Sequence, residues 1–168
     1  MNNTVQLRAL TIEDLSFLQQ IENNPSYWHL SDTTEAFSEE VLIEYILASN
    51  KPIKEVGQER FVIALKDQTA VGFVDLFSFN YLHKRAGVGI IIEKEYRALG
   101  YASQALKLIS EYAKKELKIH QLYAHILEDN HKSMALFEKA GFLKIANKSD
   151  WHYSKGVFKD ELLYQLIL

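Results

Sequence analysis

Cysteine is absent from the 168 residues, which removes disulfides, acyl-thiolate catalysis and thiolate-bound zinc, and fits a reducing compartment. Positive charge is not in excess either. The formal net charge is -3, so no global basic field favours non-specific nucleic-acid binding, and a polyphosphate ligand has to be held locally. Long apolar runs are missing, and Met1-Asn2-Asn3-Thr4-Val5-Gln6-Leu7-Arg8 has no basic segment followed by an apolar core. The expectation is a cytoplasmic protein with neither membrane span nor leader. His29, His83, His120, His125, His131 and His152 form no i, i+4 pair within a carboxylate motif, so no metal is expected. Repeats, low-complexity tracts and linkers are also lacking, and the length suits one domain over residues 1–168.

What is present is a short turn between a strand and a helix. Arg97-Ala98-Leu99-Gly100-Tyr101-Ala102 follows the apolar run Val88-Gly89-Ile90-Ile91-Ile92 and precedes a helix-period stretch. A glycine-containing turn that opens a helix aims backbone N–H groups at one spot, and the helix dipole reinforces them, so an anion binds without a lysine. Two rival phosphate loops fail. Ala102-Ser103-Gln104 is not the Gly-Lys-Ser/Thr ending of a Walker loop, and a dinucleotide fingerprint needs two further glycines and a later acid.

The pattern around this turn predicts mixed α and β structure. A strand is expected over 5–9, then a helix opened by Thr11-Ile12-Glu13-Asp14 as a capping box, with Ile12, Leu15, Leu18 and Ile21 on one face, ended by Asn24-Pro25. A second helix is expected over 38–48 with Val41, Leu42, Tyr45 and Ile46 as its apolar stripe. Strands over 60–65, 71–79 and 85–92 form an antiparallel meander. Ala102, Ala105, Leu106, Ile109 and Ala113 recur at helical spacing, which leaves Lys107, Lys114 and Lys115 on a solvated face. A parallel strand over 121–127 then closes a right-handed crossover. Asp129 or Asn130 caps a last helix that Gly141 stops, and strands over 142–146 and 161–168 finish the sheet.

Four segments resemble the GNAT acyltransferases in order. Residues 88–102 resemble the Arg-x-x-Gly-x-Ala motif that holds the pyrophosphate of acetyl-coenzyme A, and Asn130-His131-Lys132-Ser133 with Phe137 and Gly141-Phe142 resembles the second family motif. Leu7-Arg8-Ala9-Leu10 with Glu13-Asp14-Leu15, and Lys155-Gly156-Val157-Phe158, are similar to the branch of ribosomal-protein N-terminal acetyltransferases and bacterial spermidine acetyltransferases. Arg60-Phe61-Val62, Gly72-Phe73-Val74-Asp75-Leu76 and His83-Lys84-Arg85-Ala86 are closer to the spermidine enzymes. The resemblance implies a GNAT fold, a central mixed and mostly antiparallel sheet with splayed middle strands flanked by helices. It implies acetyl-coenzyme A as co-substrate, and as acceptor a small-molecule amine such as spermidine or a protein N-terminus. It is compatible with a homo-oligomer.

Site roles follow from that resemblance. Ile90, Ile91 and Ile92 would meet the pantetheine arm, with backbone N–H groups near Ile91 and Ile92 as the oxyanion donors. Arg97, Ala98, Leu99, Gly100, Tyr101, Ala102 and Ser103 would hold the pyrophosphate, and Asn130, Ser133, Phe137 and Lys139 would complete the donor site. Transfer in a ternary complex needs positioning, amine deprotonation and care of the departing thiolate, but no nucleophilic side chain. Many relatives place a tyrosine where this chain has Phe137, so Ser133 is expected to serve the thiol. The strand before the turn, Ala86-Gly87-Val88-Gly89, has no glutamate. Asp75 is therefore the expected base, through a raised pKa among apolar neighbours, with Glu93, His83, His125 or a water relay as alternatives. Tyr27, Trp28 and Asp75 are expected at the acceptor. Gly87 and Ser78 stand where the spermidine enzymes carry carboxylates. A competing expectation, from Phe137 and the missing glutamate, is a catalytically silent acyl-coenzyme A-binding module.

Overall fold

The run Ala70 to Asn80 is apolar at successive positions, and a strand of that kind has to be covered on both faces. It is. In the computed structural model, which describes residues 4–168, it forms β3 (Ala70–Asn80), near the middle of a seven-stranded sheet. Phe73 faces one helical layer together with Leu18, Ile21, Leu42 and Ile46, while Val74 and Leu76 face the other with Ala105, Leu106 and Ile109.

The strands are β1 (Gln6–Ala9), β2 (Glu59–Ala64), β3, β4 (Arg85–Ile92), β5 (Gln121–Leu127), β6 (Leu143–Ser154) and β7 (Val157–Ile167), and their order across the sheet is β1-β2-β3-β4-β5-β7-β6. Every pairing is antiparallel except β4 with β5. On one face lie α1 (Leu15–Glu22) and α2 (Glu39–Ala48), and a single-turn α3 (Ile53–Val56) precedes β2. Against the other face packs α4 (Tyr101–Lys115), which carries the chain from β4 to the parallel β5, followed by α5 (His131–Lys139). Gly141, at φ 92°, ends α5 in the left-handed conformation that suits glycine beyond a helix C-terminus.

Three expectations are corrected. The first helix does not begin at residue 12: Ile12–Asp14 is a 3-10 turn, and Ile12 is exposed. Asp14 does accept from the Thr11 amide at 2.9 Å, but it also takes two hydrogen bonds from the Arg8 guanidinium at 2.8 and 2.7 Å, which ties the turn to β1. Val41 leaves the expected stripe of α2 and is exposed, so Leu42 and Ile46 carry the packing. The closing strands are much longer than expected, because their polar middle shows no apolar alternation. They pair through backbone bonds in a hairpin whose turn places Lys155 at φ 52° and Gly156 at φ 81°, two left-handed residues that match the strand twist.

Candidate active site

The pairing of β4 with β5 is short. Arg85, Ala86 and Gly87 align with Gln121, Leu122 and Tyr123, and beyond Gly87 the register ends while both strands continue. The sheet therefore splits between Val88 to Ile92 and Ala124 to Leu127, at the carboxyl ends of two parallel strands, where open α/β sheets place ligands. Just beyond β4 the Glu93 amide donates to the Val71 carbonyl at 2.9 Å. Alternation along the strand then directs the Ile91 amide to β3, and the Ile90 and Ile92 amides to the split. Of the amides expected as oxyanion donors, that of Ile91 is therefore committed to β3, while those of Ile90 and Ile92 open onto the split.

At the end of the split the chain passes through a 3-10 turn and reaches Gly100. Ala98 (φ 62°) and Gly100 (φ 81°) both adopt left-handed backbone, with Leu99 between them, before α4 begins at Tyr101. Such alternation converges successive N–H groups into an anion-binding nest at the positive end of the helix. Ala98, Leu99 and Gly100 are exposed, and a Cβ added at Gly100 would meet no protein atom within 4 Å. Tyr101 is buried, so only its backbone faces this cradle, while Ala102 and Ser103 are half-buried behind it. The Arg97 side chain does not point freely outward. Its Nε donates to the Ile92 carbonyl at 2.9 Å, and its guanidinium lies 5.3 Å from the Tyr27 ring centre.

Tyr27, expected at the acceptor, thus lies beside Arg97 of this turn, and its hydroxyl donates to Glu93 at 3.3 Å. Its neighbour Trp28 opens a 3-10 turn in which the indole donates to the Glu22 carbonyl at 2.8 Å. Trp28 also lines a cleft of about 850 Å³ together with Asp32, Leu127, Asp129, His152 and Lys159.

The first turn of α5 stands at the same end of the sheet. Asn130 accepts from the Ser133 amide at 3.2 Å, and the half-buried Ser133 hydroxyl has no hydrogen-bond partner among the described residues. Phe137 is only 4% exposed and packs edge-on against Phe142, with ring centres 5.0 Å apart. That packing lets the ring hold α5 in place. Lys139 is exposed in the last turn of that helix.

Asp75 is not a lone carboxylate among apolar neighbours. Both of its oxygens accept from Arg60, at 2.6 and 2.8 Å, and Arg60 also donates to Glu22 at 2.5 Å. The guanidinium lies 5.3 Å from the Tyr45 ring centre and 5.1 Å from that of Phe73. The expected base is thus committed to an ion pair. Phe77, two residues along the same face of β3, covers Gly87 so closely that an added Cβ there would sit 2.3 Å from its ring. That ring fills the space over Gly87, and Ser78 lies in the β3 bulge at φ 47°.

A group that weighed little in the sequence becomes prominent on the same face. Glu161 is 8% exposed and contacts His125, His152 and Lys148. Its carboxyl is pushed up by burial, but the hydrogen bonds from Lys148 and His152 outweigh that and hold it below the usual glutamate range. No local motif announces this cluster, because its members come from three strands. Among the described residues no group of His, Asp and Glu is arranged to hold a metal ion, and no helix is long and apolar enough to cross a membrane.

The Ser133 hydroxyl is free to hydrogen-bond a ligand at this end of the sheet. Ser133→Ala is expected to lower kcat about tenfold, with coenzyme A affinity within twofold of wild type, because contact with developing thiolate is strongest in the transition state. Steady-state kinetics beside calorimetric titration of coenzyme A checks this, and an affinity loss equal to the rate loss would contradict it.

Comparison with known proteins agrees with this geometry. The acetyltransferase (GNAT) domain family matches residues 4–143. Spermidine N(1)-acetyltransferase of Vibrio cholerae is 31% identical over 163 residues, covering 95% of this chain and 91% of that protein. The crystal structure of spermidine N-acetyltransferase from Vibrio cholerae in complex with CoA and spermine superposes with a TM-score of 0.89 at 26% identity, covering 98% of this chain and 95% of that one. A dodecameric structure of spermidine N-acetyltransferase from the same organism superposes with a TM-score of 0.80 at 28% identity, covering 98% and 94%.

Proposed function

The chain belongs to the GNAT acetyltransferase family and is an acetyl-coenzyme A-dependent N-acetyltransferase; from that premise we propose that its acceptor is a primary amine of spermidine or a similar alkyl polyamine. The observation that carries the transfer reading is the split between β4 and β5 opening directly onto the Gly100 nest. In this reading the backbone of residues 97–102 holds the pyrophosphate, the Ile90 and Ile92 amides meet the pantetheine and the carbonyl oxygen, and Ser133 meets the sulfur. The polyamine choice is supported by the likeness to the Vibrio cholerae enzyme. It is also supported by the acceptor face, where Glu22 and Asp75 share one guanidinium and Asp32 and Asp129 line the cleft.

Residues 1–168 then act as one catalytic domain in the cytoplasm. The exposed apolar side chains of the closing hairpin, Leu143, Ile145, Trp151, Tyr153 and Phe158, suit burial between copies in a homo-oligomer.

Initial rates with acetyl-coenzyme A against putrescine, spermidine, spermine and a peptide with a free N-terminus test the acceptor. Spermidine is expected to exceed the peptide at least about tenfold in kcat/KM, a margin of roughly 1.4 kcal/mol in transition-state binding. A peptide that matches spermidine would overturn the polyamine choice. Coenzyme A binding without turnover of any amine would favour the silent module instead.

A further inference from the structure

His125 lies two residues beyond Tyr123, the last residue that pairs with β4, so it stands where the sheet has already opened. It shares a face with Tyr123 and with Phe77 of β3, whose rings lie 5.4 and 6.4 Å from its own. That is the face of Asp75, and Leu127, next on this side of β5, lines the large cleft. His125 thus stands beside the split, one alternate position before the cleft-lining Leu127.

Its ring is oriented by a carboxylate. Nδ1 is 3.1 Å from Oε1 of Glu161, and Nε2 has no hydrogen-bond partner among the described residues. Lys148 also approaches Nδ1, at 3.2 Å, but it makes a closer ion pair with Oε1 of Glu161. In the tautomer whose Nδ1–H is turned to Glu161, with the Lys148 ammonium held by that carboxylate, the lone pair of the neutral ring is on Nε2. The other oxygen of Glu161 meets Nε2 of His152 at 2.5 Å, and His152 lines the cleft. A carboxylate that holds one nitrogen of an imidazole while the other stays open is the arrangement that general bases use.

We propose that His125 is the general base of the transfer, with Glu161 as its positioning residue and His152 as the exit for the proton. Nε2 of His125 takes one proton from the acceptor ammonium, which frees the nitrogen lone pair to form the C–N bond as the C–S bond breaks. The second N–H proton leaves with the departing thiolate. The proton on His125 returns to solvent past Glu161 and His152, so one proton is released per amide formed. This rests on the acetyl-transfer reading and adds to it the group that activates the amine.

The ionisable groups around the ring are Tyr123 of β5, Lys148 and His152 of β6 and Glu161 of β7. Burial and the Lys148 charge push the His125 imidazole below its usual 6.5, against the opposing pull of Glu161. It is therefore neutral, and able to accept a proton, at neutral pH. Wild-type kcat at saturating spermidine and acetyl-coenzyme A should rise through a midpoint below pH 6.5 and then level off. His125→Gln should lower kcat about 100-fold and abolish that limb, with coenzyme A affinity retained. Lys148→Met supplies a test that does not depend on the first variant folding: losing a nearby positive charge favours imidazolium, so the midpoint should move to higher pH. Turnover by His125→Gln within threefold of wild type, or a limb that Lys148→Met leaves in place, would overturn the proposal while acetyl transfer stands. Absence of wild-type turnover with every amine would overturn both.

Discussion

Gly100→Val is expected to weaken coenzyme A binding by about 100-fold, equivalent to roughly 2.7 kcal/mol. Two effects combine. At φ 81° a β-branched residue is strained, at a cost of about 1–2 kcal/mol, and relieving that strain rotates the amides of the nest away from their common focus. The new side chain also projects into space that no protein atom occupies within 4 Å, which is the approach path of a phosphate to the backbone. Because nothing in the protein is struck, the variant should still fold. Gly100→Ala separates the two contributions, since it keeps most of the backbone strain and adds little bulk. Calorimetric titration of coenzyme A against both variants, with thermal unfolding as a control, checks the prediction. Wild-type affinity in a folded Gly100→Val would mean that the pyrophosphate is held elsewhere.

Arg60→Met is expected to cost about 2–3 kcal/mol of stability, below the usual figure for breaking a buried ion pair because the carboxylates keep some contact with water. The guanidinium side chain is 15% exposed and bridges Glu22 of α1 to Asp75 of β3, whose side chains are 24% and 27% exposed. A methionine fills much of the same volume between Tyr45 and Phe73 but leaves two carboxylates facing each other without a cation. For a chain of this size the loss corresponds to a fall in Tm of roughly 5–10 °C. Adding Asp75→Asn to Arg60→Met should recover part of it, because the repulsion is then relieved. An unchanged Tm in the single variant would show that the cluster is only a surface pair. The same cluster explains why Asp75 is a poor choice for proton abstraction: its oxygens are already occupied by Arg60.

The Gly100 turn and the elements that flank it were legible in the primary structure because their parts are local. A strand run, a glycine turn and a helix start lie within 88–102, and Asn130 to Ser133 opens the next helix. Helix periodicity and capping act over a few residues, so α4, α5, β4 and β5 could be placed from the chain itself. The long hairpin of β6 and β7 was only half legible, since solvent-exposed edges need no apolar alternation and are specified by the Lys155-Gly156 turn.

The charged clusters on the other face of the sheet are tertiary constructions. Asp75 reads as a lone acid in an apolar strand until β2 brings Arg60 beside it, and nothing near Tyr27 in the chain announces that its ring packs on Arg97. His125, Glu161, His152 and Lys148 are scattered over 37 positions (161 − 125 + 1) of the chain and carry no shared spacing. They meet because antiparallel pairing of β5, β7 and β6 places alternate residues of three strands on one face. Local composition decides where a backbone turns and which face is apolar, whereas the neighbours of a charged side chain depend on strand register across the sheet. That register is set by the packing of the whole, and it decided which groups stand ready to exchange a proton.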